Sequence, residues 1–256
     1  MKITVLTLFP EMFEGVLSNS IIKRAISKGC AEIEIVQIRD FTTDKYGRTD
    51  TPPIGGGAGL IQKCQPIVDA LKKVSGPNSH KVLFSPRGVT YNEKIAKSYA
   101  KLEHIVLVCG HYEGIDERVN DYVDELLSIG DYVLTGGEIP AMSVIDSVVR
   151  LLDGAISQDS LVDESFNEPI LEYPQYTEPY EYDGKKVPDL LYSGNHEAIA
   201  KWRRKKALVL TKEHRPDLFE KLPLTKQDKK LLAEEESGET PKWEKDALEK
   251  GHKFIK

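Results

Sequence analysis

One stretch constrains this chain more than any other: residues 105–152, IVLVCGHYEGIDERVNDYVDELLSIGDYVLTGGEIPAMSVIDSVVRLL. It opens on a continuous apolar run, Ile105 to Val108, which reads as a strand of a sheet covered on both faces. The run stops at Gly110, where the chain turns into Tyr112, Glu113 and Gly114. A second short strand is expected at Asp131-Tyr132-Val133-Leu134, bracketed by Gly130 and by Gly136-Gly137. Glycine tolerates positive φ and lets a ligand lie against the backbone. Glycine corners at strand ends therefore predict a small-molecule pocket shaped by main chain.

A helix follows, with Pro140 in its first turn, where a proline sacrifices no intrahelical hydrogen bond. Ala141, Val144, Ile145, Val148, Val149 and Leu152 recur at helical spacing and form its core face. The opposite face carries Ser143, Asp146, Ser147 and Arg150. Arg150 is thereby placed to reach over the pocket mouth. The ordinary structural alternative is an Asp146–Arg150 pair at i, i+4 on a solvated face.

Upstream, residues 2–9 read as a first buried strand, followed by a turn at Pro10 and a helix to about Lys28. A second strand is expected over 33–38 and a third over 81–84, ended by Ser85-Pro86-Arg87-Gly88. Helices are expected over 66–73 and 92–101. Strands alternating with helices over residues 1–156 define an α/β domain with a largely parallel sheet. Its three corners, 85–88, 110–114 and 130–137, then share one sheet edge. The loop Gly55-Gly56-Gly57-Ala58-Gly59 is followed by Leu60, not by Gly-Lys-Ser/Thr, which excludes a triphosphate-binding loop. No G-x-G-x-x-G turn follows the first strand, so a dinucleotide fold has no support either.

Composition changes after Gly154. Residues 157–183 hold eight acids and no lysine or arginine, whereas residues 201–215 hold seven lysines and arginines against Glu213 alone. The net charge of −6 thus hides a polarised chain and does not exclude a nucleic-acid partner. Ser193-Gly194-Asn195 caps a helix from His196 to about Leu210, which carries Trp202, Arg203, Arg204, Lys205 and Lys206. More helix is expected over 215–222 and 226–236, and the last twenty residues have no clear place. The expected organisation is a domain over 1–156, an acidic linker over 157–175 and a small, mainly helical domain over 176–256. Three dispersed cysteines, Cys30, Cys64 and Cys109, form neither a disulfide framework nor a zinc site. The six histidines show no metal-ligand spacing. With no apolar run of membrane-spanning length and no signal-peptide pattern, a cytoplasmic protein with no membrane partner is expected.

Several segments together resemble a known family. They are LFPEMF at 8–13, the 55–59 loop, CGHYEGIDERV at 109–119, SIGDYVLTGGEIPAM at 128–142, IDSVVR at 145–150 and SGNHEAIAKWR at 193–203. In this order they resemble the bacterial tRNA (guanine-N1)-methyltransferases of the SPOUT superfamily, over roughly residues 1–232. The resemblance implies a parallel sheet closed by a deep trefoil knot, S-adenosylmethionine bound in that knot, and an obligate homodimer whose pockets are completed by the partner's linker and C-terminal domain. The implied reaction methylates N1 of the guanosine immediately 3′ of the anticodon, position 37 of tRNA. Carried over residue by residue, the cofactor would meet Pro86, Gly110, Tyr112, Glu113, Ile129, Gly130, Asp131, Tyr132, Val133, Leu134, Gly136 and Gly137. His196, Trp202, Arg203, Arg204 and Lys206 would meet tRNA. Four consecutive cations from 203 to 206 span more than one helix face, so two of them are expected to face RNA and the others solvent. Magnesium helps family members, but no protein metal site is legible.

The implied chemistry needs a base for the N1 proton and a cation for the charge that grows on O6. Arg150 matches the cation. The base maps to the linker, where this chain has Val162-Asp163-Glu164-Ser165-Phe166; the family commonly has aspartate directly before Ser-Phe. Glu164 is preferred over Asp163, against the alternative that both belong to a solvated acidic linker. The loop at Pro53-Ile54-Gly55 and Ala58-Gly59-Leu60 departs from the family only by apolar exchanges. Two competing functions stay open: a knotted methyltransferase acting on ribose 2′-oxygen, and an RNA-binding protein without turnover.

Overall fold

Five strands of the computed structural model pair in parallel: β1 (Lys2–Thr7), β2 (Glu32–Gln37), β5 (Ser79–Thr90), β6 (His104–Val108) and β7 (Glu125–Ser128). Their spatial order is β2-β1-β6-β5-β7. Two-residue strands β3 (Asp50–Thr51) and β4 (Ile61–Gln62) form a separate antiparallel pair. The structure describes residues 1–157 and 164–251. The chain divides into two units, Met1–Gln158 and Asp159–Lys256.

In the first unit, β6 is flanked by β1 and β5, and its side chains alternate between two apolar layers. Ile105 and Leu107 join Ile3, Val5 and Val82 on one face, against helices α2 (Ser20–Ser27), α4 (Glu93–Tyr99) and α5 (Glu138–Val149). Val106 and Val108 join Leu6 and Leu83 on the other, against α3 (Cys64–Val74). A strand covered on both faces has no use for a polar position, which is why its sequence is uninterrupted Ile-Val-Leu-Val. Each such side chain contributes about 1.5–3 kcal/mol on burial. All five residues assigned from their spacing to the core face of α5 before its end, Ala141 to Val149, are fully buried, and Leu152 packs against the same cluster.

Three expectations change. The helix after Pro10 is broken into a 3-10 turn (Pro10–Phe13), α1 (Glu14–Leu17) and α2. The break falls at Ser18-Asn19-Ser20, where the Asn19 amide bonds back to the Gly15 carbonyl at 2.9 Å, a local competitor to helix hydrogen bonding. The third strand does not end at Phe84: Phe84 and Val89 both pair with Leu127, so residues 85–88 bulge out of a longer strand. Such a bulge accommodates Pro86, which has no N–H for a ladder. The strand expected at 131–134 lies one segment earlier, in β7. Gly130 turns the chain off the sheet edge with φ 149°, and Val133 is 88% exposed. The apolar look of Tyr132-Val133-Leu134 therefore reports a wall, not a core strand.

The second unit is mainly helical: α6 (His196–His214), α7 (Pro216–Phe219), α8 (Lys226–Ser237) and α9 (Lys242–Gly251). Asn195 caps α6 by accepting from the Ala198 amide at 3.1 Å. Thr225 and Asp228 form a reciprocal capping box on α8, and Gly238 ends it in the left-handed conformation. A hairpin of β8 (Glu181–Tyr182) and β9 (Lys185–Lys186), absent from the sequence reading, turns on Asp183-Gly184, both at positive φ. Within the tail without a clear place, Lys242–Gly251 forms α9. Trp243 joins both apolar clusters of the unit, its indole N–H donates to Glu234 at 3.0 Å, and Ala247 is fully buried. Among the described residues no helix is long and apolar enough to cross a membrane.

Candidate functional site: a backbone-walled cavity at the strand ends

Beyond β7 the chain does not continue outward from the sheet edge; it returns across the strand ends to the middle of the sheet. The Gly137 amide donates to the Gly110 carbonyl at 2.8 Å, and His111 bridges Gly136. The approach is close enough to require glycine: a Cβ at Gly137 would lie 2.7 Å from the Cys109 Cα. At the bulge, a Cβ at Gly88 would lie 2.3 Å from the Leu127 amide nitrogen. Immediately after the return, α5 starts at Glu138, whose buried carboxylate accepts the Thr7 hydroxyl at 2.8 Å and so ties the helix to the end of β1. Burial of Cys109 beneath this crossing, with Glu138 nearby, pushes its thiol well above the ordinary range, leaving it a packing residue.

Residues 85–87, 110–115 and 127–137, apart from Asp131, enclose a cavity of about 530 Å³ that also draws on neighbouring positions. The three corners expected at one edge do meet there. Pro86, Gly110, Tyr112, Glu113, Ile129, Gly130, Tyr132, Val133, Leu134, Gly136 and Gly137 all line it; Asp131 is exposed and does not. Tyr112 holds a left-handed φ of 61° and stands edge-on to His111, with ring centroids 5.1 Å apart.

Sequence reasoning passed over two features. Arg87 and Glu117, from neighbouring corners, form a two-pronged ion pair at 3.0 and 2.9 Å on the cavity wall. That pairing holds Glu117 below its usual range. Opposite charges in SPRG and DERV were the available signal. Gln62 is buried and binds the 111–116 loop three ways: its amide to the Gly114 carbonyl at 2.9 Å, its carbonyl from Asp116 at 3.0 Å, and its side-chain oxygen from His111 at 3.3 Å. The glycine-rich 55–59 loop thus leads into a strand that supports the cavity.

Arg150 is the half-buried C-cap of α5, its amide donating to the Asp146 carbonyl at 3.2 Å. On the same face the Ser147 and Tyr91 hydroxyls are hydrogen-bonded at 2.6 Å, and burial pushes the Tyr91 phenol up to about 12.

In the second unit Glu164 is half-buried and its carbonyl accepts from Asn167 at 3.4 Å; Asp163 lies outside the described residues. The next residue, Ser165, accepts the Glu172 amide at 2.9 Å, and Phe166 stands half-exposed at φ 72°. The cationic run of α6 does not divide between RNA and solvent as expected. Lys205 is 5% exposed and sits between Glu235 at 3.3 Å and Glu244 at 3.2 Å. Arg204 grips the buried Asp228 through two nitrogens, at 2.8 and 3.1 Å, and holds that carboxyl below its usual range. Lys206 meets Glu235 at 2.7 Å. Trp202 is buried, Arg203 is exposed with its guanidinium 4.7 Å from the Tyr173 ring centre, and His196 is exposed in the first turn. The acids on α8 and α9 supply the reason: a cation packed under two helices costs too much unless paired. Among the described residues no three His, Cys, Asp or Glu side chains are grouped to hold a metal.

A doubly covered parallel sheet, with a cavity at the carboxyl ends of its strands, defines an α/β protein whose cavity lies where folds of this class hold their ligands. The family described as tRNA (Guanine-1)-methyltransferase TrmD matches residues 1–221. The tRNA (guanine-N(1)-)-methyltransferase of Clostridium perfringens (strain SM101) is 54% identical over 234 residues, 91% of this chain and 99% of its own. That of Clostridium botulinum (strain Eklund 17B) is 52% identical over 234 residues, 91% of this chain and 98% of its own. The chain belongs to the tRNA (guanine-N1)-methyltransferase family and is an enzyme of that class. Helix α9 lies beyond the part that the family matches.

Proposed function

We propose that this enzyme transfers a methyl group from S-adenosylmethionine to N1 of the guanosine immediately 3′ of the anticodon, position 37, in tRNA. The observation that carries the reading is the strand-end cavity of a chain in this family. Its volume of about 530 Å³ suits a nucleoside-sized ligand. Ile129 and Leu134 offer apolar walls to an adenine plane, and the main chain at 110 and 129–137 offers amides and carbonyls to its edge. The return of the chain onto Gly110 is read as the crossing of a SPOUT-type trefoil knot. When bound, S-adenosylmethionine supplies a methyl group activated by its positive sulfur.

The chain's own residues then handle the guanine. N1 carries a proton and is a poor nucleophile until the proton leaves; Glu164 takes it as general base, in preference to Asp163. Loss of that proton puts negative charge on O6, and the Arg150 guanidinium stabilises it. The family membership also supports a cytoplasmic homodimer as the working form, with the second unit meeting tRNA through His196, Arg203 and the partly exposed edges of Arg204 and Lys206.

The test is transfer of labelled methyl from S-adenosylmethionine to tRNA transcripts carrying G or A 3′ of the anticodon. The G transcript alone is expected to be labelled, and Glu164→Ala is expected to lower the rate by about 10²–10⁴-fold. If the wild type labels neither transcript, or labels both through ribose, the proposal fails.

A further inference from the structure

With Arg204, Lys205 and Lys206 of α6 tied to α8 and α9, the second unit has another feature through which to meet RNA. A separate cavity of about 430 Å³ lies within this unit, lined among others by Tyr173, Tyr176, Tyr192, Trp202, Arg203 and Glu178. The Tyr176 ring lies 6.3 Å from that of Trp202, tilted by 53°, and Tyr176 is 49% exposed. Trp202 is buried as the floor. The exposed Arg203 guanidinium is held 4.7 Å from the centre of the Tyr173 ring. We propose that this cavity receives one unpaired nucleobase of the tRNA substrate, stacked against Tyr176 and the Arg203–Tyr173 pair. The inference rests on the reading of the enzyme as acting on tRNA.

The chemistry selects a base over the alternatives. A nucleobase has two π faces and a polar rim, and proteins that take unpaired bases stack them on aromatic rings and guanidinium planes. This cavity offers both, and the guanidinium already lies over one ring as it would over a base. Glu178, Thr177 and Tyr192, also in the lining, carry a carboxylate and two hydroxyls, side chains that can accept from ring N–H and amino groups. The same carboxylate opposes a phosphate, so the backbone of the RNA stays outside while the base enters. Stacking of this kind needs no free cations, which is consistent with a unit whose basic helix is largely neutralised from within.

The experiment measures equilibrium binding of a tRNA transcript to the full-length chain at two or more salt concentrations, for wild type, Tyr176→Ala and Tyr176→Phe. Tyr176→Ala is expected to weaken tRNA binding about tenfold or more, and Tyr176→Phe to restore it, because the ring and not the hydroxyl carries the contact. The salt dependence is expected to be unchanged, since stacking releases no counterions. Ultraviolet cross-linking of the wild-type complex is expected to join RNA to the peptides bearing Tyr176 or Trp202. A Tyr176→Ala chain that binds tRNA like the wild type overturns the proposal, and so does a loss of affinity with a shallower salt dependence. Loss of guanosine or cytidine monophosphate binding with tRNA affinity intact would assign the cavity to a free nucleotide, also against the proposal. Failure of the wild type to bind and methylate tRNA would remove the functional reading itself, whereas normal methylation with an indifferent Tyr176→Ala removes only the base pocket.

Discussion

Two cavities of similar size are built in opposite ways. In the first unit the walls are shaped by glycines: the Gly137 amide meets the Gly110 carbonyl at 2.8 Å, the Tyr132 ring lies over Gly130 and the His111 ring over Gly136. In the second unit the walls are side chains, four aromatic rings and a guanidinium hung on an irregular segment and on α6. Main-chain walls leave a mark in sequence because only glycine fits them. Side-chain walls leave none, since tyrosine and arginine occur wherever a surface tolerates them. Electrostatics differ in the same sense. Arg87 and Glu117 pair on an exposed rim, whereas Lys205 is enclosed by two glutamates from α8 and α9.

The contrast can be broken at its strongest point first. Gly137→Ala forces a methyl to within 2.7 Å of the Cys109 Cα, with backbone on the receiving side. The strain of such overpacking is about 1–3 kcal/mol. Calorimetric titration with S-adenosylmethionine is expected to show affinity reduced by tenfold or more, with the circular dichroism of the sheet retained. An unchanged affinity would mean that the crossing is not part of the cofactor wall.

A smaller effect sharpens the other side. Lys205→Ala takes the Lys205 cation from Glu244 and leaves Glu235 with Lys206, and is expected to destabilise the second unit by about 3 kcal/mol, read as denaturant midpoint. Lys205→Met keeps the packing volume, and its effect on tRNA affinity is expected to be within about twofold, because a buried and paired cation releases few counterions. A large loss of tRNA affinity with stability intact would restore Lys205 to the RNA surface.

How much of this could be read beforehand follows from the same contrast. The core face of α5 and the double burial of β6 were legible because periodicity repeats over several residues. The three corners were legible because glycine and proline punctuate them. What escaped was decided by tertiary context. Tyr132-Val133-Leu134 has strand-like composition, yet Gly130 turns it off the sheet edge beyond β7. Arg204, Lys205 and Lys206 look like a nucleic-acid stripe until Asp228, Glu235 and Glu244, 24 to 39 residues away, arrive opposite them. The place of Trp243 could not be found locally either, because, Ala247 and Leu248 apart, the residues of both clusters it joins are distant in sequence. The roles of Glu164 and Arg150 rest on family resemblance; spacing alone could not separate either from an ordinary surface charge.

The central claim is that the methyl donor is held by main chain at the strand ends of the first unit. Hydrogen–deuterium exchange of the full-length enzyme, with and without S-adenosylmethionine, reads those amides directly. The account predicts slowed exchange in the segments around 110–114 and 129–137, with far smaller changes in the second unit. Binding of S-adenosylmethionine that leaves both segments unchanged and slows amides elsewhere would contradict it.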